Sequence, residues 1–126
     1  MSYEKVGKLI RSLHANTKAG SITWEETERH GTYQVSFPNY TIRLSNRVNP
    51  YNPYDGDTDY VIQIINGDGD VVDEVSDVDV KDIVDNSYNV MKDLHDMARR
   101  QAFGVEKALD EILNDLNSFN NDNIPL

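Results

Sequence analysis

The chain has 126 residues, and one short run in it collects a histidine, a carboxylate and two guanidiniums: Leu94-His95-Asp96-Met97-Ala98-Arg99-Arg100. On a helix, His95 and Arg99 share a face, and Asp96 stands one turn before Arg100. Such a grouping can grip a phosphate or a carboxylate, or pass a proton through the imidazole. A quieter reading uses the same residues. Asp96 before Arg100 is a stabilising acid–base pair, arginine stems cover apolar edges, and a histidine on an apolar stripe is commonly hydrogen-bonded within the core. If the site is chemical, Trp24 and Tyr33 supply its apolar wall. The result would be a small-ligand-binding domain or enzyme using Trp24, Tyr33, His95, Arg99 and Arg100 between a sheet and a C-terminal helix.

Two Asp-rich stretches, Asp55-Gly56-Asp57-Thr58-Asp59 and Asn66-Gly67-Asp68-Gly69-Asp70, place oxygen atoms at alternate positions as calcium loops do. The EF-hand pattern fails in both. Its sixth position requires Gly and holds Tyr60 or Val71, and its twelfth requires Glu and holds Asn66 or Asp77. Both stretches border strands rather than helices, so they read as solvated turns and no metal is expected. The three histidines, His14, His30 and His95, have no zinc-binding spacing, and there is no cysteine to supply thiolate or disulfide. No phosphate-loop, dinucleotide or nucleophile-elbow motif occurs, and no cofactor is expected.

Charge is distributed unevenly. Residues 1–54 hold seven bases and four acids, while 55–126 hold five bases and 18 acids. Within 55–85, eleven acids face a single base, a local excess equal to the whole chain's net charge of −10. Ten of those eleven are Asp, a residue suited to turns and caps, so local backbone needs account for part of the run. The overall balance argues against direct nucleic-acid binding, which draws on clustered Lys and Arg. An acidic surface is instead suited to a basic protein partner, with Tyr51, Tyr54, Asp55, Asp57, Asp59, Asp68, Asp70, Asp73 and Glu74 as its contact residues. Exposed Tyr beside Pro, as at Tyr51 and Tyr54, is common at recognition surfaces.

The elements that carry these residues follow from periodicity. Val6, Leu9, Ile10 and Leu13 predict an amphipathic helix from Ser2 to about Lys18, stopped by Gly20. Alternation then predicts strands: Ile22 with Trp24, Tyr33 with Val35 and Phe37, and Tyr40 with Ile42 and Leu44. Two prolines and a glycine make residues 49–57 a loop. Tyr60–Ile65 is the most apolar segment and is expected at the centre of the sheet, joined through Asn66-Gly67-Asp68-Gly69 to a partner strand over 70–75. From Asp79 to Asn117 the pattern is helical. Val84, Met91, Ala98, Val105, Ile112 and Phe119 recur every seventh residue, and Tyr88, His95, Ala102, Leu109 and Leu116 follow four later. A straight helix of that length would span roughly 58 Å, about twice the width of a domain this size. It must therefore start late near Ser87, bend near Gly104, or leave the domain to pack on a second copy.

The expected fold is α+β, with an N-terminal helix, a five-stranded antiparallel sheet and a long C-terminal helix packed on the sheet. Residues 1–119 form one domain, and 120–126 a flexible tail. No segment has the ~20 apolar residues of a membrane span, and the N-terminus lacks the order of a secretory signal, so a cytoplasmic location is expected. The run Leu9-Ile10, Thr17, Gly20, Ile22-Thr23-Trp24-Glu25, with Tyr60–Ile64 and the later Leu94, Ala98-Arg99-Arg100, Val105, Leu109, Ile112-Leu113 and Leu116, resembles small bacterial and phage proteins of no assigned activity. That resemblance implies a stand-alone helix–sheet–helix domain and carries over no catalytic residue. The leading functional expectation is a non-catalytic interaction module presenting residues 55–85 to a basic partner, with a homodimer forming through the C-terminal helix.

Overall fold

The computed structural model describes residues 3–48 and 58–122, and the side chains among these as far as Phe119. Helix α1 spans Tyr3–Lys18. Strands follow at β1 Glu25–Glu26, β2 Tyr33–Ser36, β3 Tyr40–Val48, β4 Thr58–Asn66 and β5 Val71–Ser76, then helices α2 Ser87–Ala102 and α3 Val105–Asp122. The strands form one antiparallel meander in the order β1-β2-β3-β4-β5. Each is joined to the next in sequence, the arrangement short turns favour. The fold is thus α+β, with helices packing on the sheet.

Alternation determines which face of the sheet is dry. Tyr33, Val35, Ile42, Leu44, Tyr60, Ile62 and Val75 point to the helices and form one cluster with Ile10, Leu13, Met91, Leu94 and Ala98. Register keeps the set aligned: Tyr33 faces Leu44, Leu44 faces Ile62 and Ile62 faces Val75. The opposite face carries Gln34, Thr41, Arg43, Ser45 and Gln63. No described helix lies on it, although Val61, between Ser45 and Ser76, is buried.

Helix α1 ends as its glycine demands. Gly20 adopts φ 78°, Ser21 N–H donates to the Asn16 carbonyl at 2.9 Å, and Gly20 N–H donates to that of Thr17 at 3.1 Å, the paired bonds of a Schellman stop. The strand expected at Ile22–Trp24 does not form; pairing is confined to Glu25 and Glu26. Trp24 is committed to the core instead. Its indole N–H donates to Thr17 Oγ1 at 2.9 Å and its backbone N–H to Gln101 Oε1 at 3.0 Å, so no sheet partner is required there.

The helical pattern beginning at Asp79 resolves into three pieces. Residues 77–86 are turns that tuck Val80 and Val84 into the core. They lie so close to α1 that a Cβ on Gly7 would meet Ile83 Cγ2 at 2.9 Å. Asp79 Oδ2 accepts the Ser76 N–H at 2.9 Å while Ser76 Oγ accepts the Asp79 N–H at 3.2 Å, the reciprocal bonds of a capping box that open these turns. The late start is set by Asn86, whose left-handed backbone at φ 58° separates the turns from Ser87. The second interruption is Phe103-Gly104, where Gly104 takes φ 64° and its N–H donates to the Gln101 carbonyl at 3.0 Å. Two of the three ways to shorten the helix are therefore used at once, a late start at Ser87 and a break at Gly104. Beyond the break, α3 touches only α2 among the described helices and strands. It continues through Asp122, past the boundary at 119 expected for the tail.

Candidate functional site

His95 lies on the sheet-facing side of α2, buried between two tyrosines. Its ring centroid is 5.3 Å from that of Tyr33 and 5.3 Å from that of Tyr60. Nε2 is 2.8 Å from the Gly31 carbonyl oxygen, so Nε2 carries the proton and donates it. Burial pushes the pKa of His95 below its usual value, against the opposing pull of the Gly31 carbonyl and of Asp96. The imidazole is thereby held neutral in one tautomer. Burial likewise raises the pKa values of Tyr33 and Tyr60, so both remain phenols at neutral pH.

The five residues named for a ligand pocket do not meet in one place. Trp24, Tyr33 and His95 are packed core side chains, with Phe103 edge-on to Tyr33 at 6.3 Å. Arg99 and Arg100 point to solvent, and Arg100 Nη2 donates to Glu106 Oε1 at 3.2 Å. Side chains fill the layer between sheet and α2. A cavity of about 340 Å³ lies elsewhere, lined by residues from the ends of α1 and α2 and the start of α3. Arg100 and Gln101 border it with Thr17, Met97 and Val105.

The acidic segment separates into several local roles. Tyr51, Tyr54, Asp55 and Asp57 lie outside the described residues. Asp68 and Asp70 are exposed at the β4–β5 turn, but it is Asn66 that organises the turn: its Oδ1 accepts N–H groups from Asp68 at 3.0 Å and Asp70 at 2.9 Å. Asp73 Oδ1 accepts the Glu74 N–H at 2.9 Å, and Glu74 Oε1 accepts from Gln63 Nε2 at 2.7 Å. Asp59 is half-buried on β4 opposite Arg47. Asp77 is buried, its Oδ1 accepting the Tyr60 N–H at 2.8 Å, and burial raises its pKa. Among the described residues, no three His, Asp or Glu side chains are gathered as a metal would need. None of the described helices is long and apolar enough to cross a membrane.

The feature with the clearest functional geometry is α3. Leu109, Ile112, Leu113, Leu116 and Phe119 are each between 44% and 62% exposed on an amphipathic helix that has no sheet beneath it. The signal was present in the sequence as a heptad stripe running through both C-terminal helices. Periodicity alone did not tell which half of the stripe the domain would cover. Searches of family models, of curated proteins and of solved structures gave no match to the chain.

Proposed function

We propose that this protein is a non-catalytic interaction module that pairs with a second copy of itself through α3, the paired form presenting its acidic surface to a basic protein. The exposed stripe on α3 carries the proposal. Val105, Leu109, Ile112, Leu116 and Phe119 alternate at steps of four and three, the spacing at which two helices interlock. The exposed Leu109, Ile112, Leu113, Leu116 and Phe119 each offer on the order of 100 Å² to a partner. Facing two stripes removes on the order of 1,000 Å² from water, near the lower bound of a specific interface.

The charges of α3 admit a second copy. In an antiparallel pair of α3 helices, Val105 faces Leu116 and Leu109 faces Ile112, while Phe119 reaches past the start of the partner helix. The flanking Glu106 then lies opposite Leu113 and Asp115 opposite Ala108, so no two carboxylates are apposed. Glu106 is already neutralised by Arg100 at 3.2 Å. Antiparallel pairing also keeps two domains of net charge −10 at opposite ends of the assembly, where parallel pairing would crowd them. Support for the basic partner is the acidic excess itself, concentrated at the β4–β5 turn and in residues 77–85.

Sedimentation equilibrium tests the pairing. Twice the 14.4 kDa chain mass is expected for the native chain, and the chain mass for Ile112→Asp with unchanged circular dichroism. A native protein at the monomer mass at high concentration overturns the dimer. Capture of partners from lysate at low and high salt tests the second contact. Partners retained regardless of salt, or none at either, overturn an electrostatic docking surface.

A further inference from the structure

The open face of the sheet carries a concavity whose sign opposes that of the whole molecule. Arg43 and Arg47 stand four residues apart on β3, and the two-residue period of a strand sends both away from the helices. The β1–β2 connection brings Arg29 and His30 to the same place. Thr27 Oγ1 ties that connection, accepting the Arg29 N–H at 3.1 Å and donating to the Thr32 carbonyl at 2.8 Å. Gly31 has φ 82°, and a Cβ there would fall 2.9 Å from Asn46 Oδ1, so a glycine is what lets the connection lie against β3.

Arg29, His30, Arg43, Ser45, Arg47 and Gln63 line a cavity of about 140 Å³, and no carboxylate among the described residues lines it. On a chain with 22 acids that is a local reversal of charge. Carboxylates stand beside the arginines without lining the cavity: Glu28, Glu74 and, cross-strand from Arg47, the half-buried Asp59. Arg43 Nη1 is 3.1 Å from Glu28 Oε1 and its Nε donates to Gln34 Oε1 at 3.1 Å, which fixes the fork. Arg47 Nη2 is 3.7 Å from Glu74 Oε2, a looser restraint. Among the described residues, Arg29 has no carboxylate within ion-pair range.

We infer that this cavity is a binding site for a compact oxyanion, the phosphate group of a small phosphate monoester. Three arginines line one small concavity with a hydroxyl and an amide, a set of donors richer than one carboxylate can accept and suited to a tetrahedral dianion. The residues lining the cavity are all polar or charged, so recognition centres on the anionic group. The site is independent of α3, and pairing through that helix leaves it open.

Inorganic phosphate titrated into the full chain at ionic strength held constant with sodium chloride tests the site, read by backbone amide resonances. Saturable shifts confined to residues 28–47 and 63 are expected, with methyl phosphate reproducing them if the monoester is the natural form. Arg29→Gln/Arg47→Gln with native circular dichroism is expected to weaken binding about tenfold or more, since two charge-assisted contacts are lost. Shifts that never saturate, that acetate reproduces equally, or that persist unchanged in the double variant overturn the site. Should the double variant fail to fold, the location and saturation of the native protein's shifts decide alone.

Discussion

Helices α2 and α3 carry one continuous apolar stripe, yet they occupy opposite situations. In α2 the stripe is spent on the domain: Met91, Leu94 and Ala98 are fully buried and His95 nearly so, against β1 to β4. In α3 the same spacing leads through Leu109, Ile112 and Leu116 into solvent. The divide is two residues wide, because Gly104 at φ 64° turns the second helix off the sheet. A heptad stripe states which face of a helix wants to be covered; the length of the sheet sets how much of it one chain can cover. The sheet is five strands wide and α2 already crosses four of them, so α3 runs beyond that layer with its stripe in solvent.

The largest expected contrast comes from truncating equivalent stripe positions. Leu94→Ala should cost about 2–5 kcal/mol of unfolding free energy, because it empties a closed core. Ile112→Ala should change the stability of the isolated monomer by no more than about 0.5 kcal/mol, while weakening the dimer. Urea denaturation at low and high protein concentration separates the two effects, since dimer stability depends on concentration. If both variants lose equal stability at low concentration, α3 is packed on its own domain and the contrast collapses.

Next in size is the break itself. A side chain at Gly104 meets nothing within 4 Å, so only the backbone opposes Gly104→Ala. A left-handed residue with a Cβ costs roughly 1–2 kcal/mol. The chain can escape by straightening α2 into α3, which would swing the exposed stripe to a new angle. Reduced stability together with a changed distance between spin labels on α2 and α3 is expected. Unaltered stability and geometry would remove Gly104 from its role as the divider.

His95 and Asp77, both buried beneath the sheet's helical layer, predict a pH dependence in two parts. Folding lowers the pKa of His95, so below the ordinary histidine value of about 6.5 the unfolded chain takes up a proton that the folded chain refuses. Stability should be full above that value and fall as pH drops through it. Asp77 works in the other direction. Its pKa is raised on folding, so the penalty for its buried charge is present at neutral pH and is relieved as acidification approaches its folded pKa, above the ordinary 3.8. His95→Gln should flatten the stability slope between about pH 7 and 5, and Asp77→Asn should raise stability at pH 7 while preserving an oxygen for the Tyr60 N–H. An unchanged slope in His95→Gln, measured by chemical denaturation at each pH, would show that the imidazole is not excluded from protonation.

Much of the fold was legible because alternation and turn chemistry act locally. The strands from Tyr33 onward and the Asn66–Gly69 turn required only nearest neighbours. Trp24 was misread as a strand residue because its hydrogen bonds run to Thr17 and Gln101, the latter 77 residues away, and no local pattern encodes that contact. The arginine cavity was hidden for a similar reason. The even spacing of Arg43 and Arg47 could have placed them on one face, but the arrival of Arg29 and His30 depends on the Gly31 turn and its close fit to Asn46. Around His95 the quieter reading fits: residues adjacent in sequence are divided by the helix surface, the imidazole going inward to the Gly31 carbonyl and the arginines outward.

The smallest expected effect concerns the acidic turn, and it bears most directly on the proposed partner. Asn66 Oδ1, rather than either Asp carboxylate, holds the backbone of this turn, and both carboxylates are exposed. Asp68→Asn/Asp70→Asn should therefore leave stability within about 0.5 kcal/mol of native, whereas Asn66→Ala should cost about 1 kcal/mol through two lost acceptor contacts. Because the first pair removes two charges without disturbing the turn, it isolates charge from fold in a way that deleting the hairpin cannot. Salt-sensitive capture of a basic partner should drop in the Asp pair and persist in Asn66→Ala. The reverse pattern would mean that the shape of the turn is recognised, and the excess of carboxylates would then serve only to keep the molecule in solution.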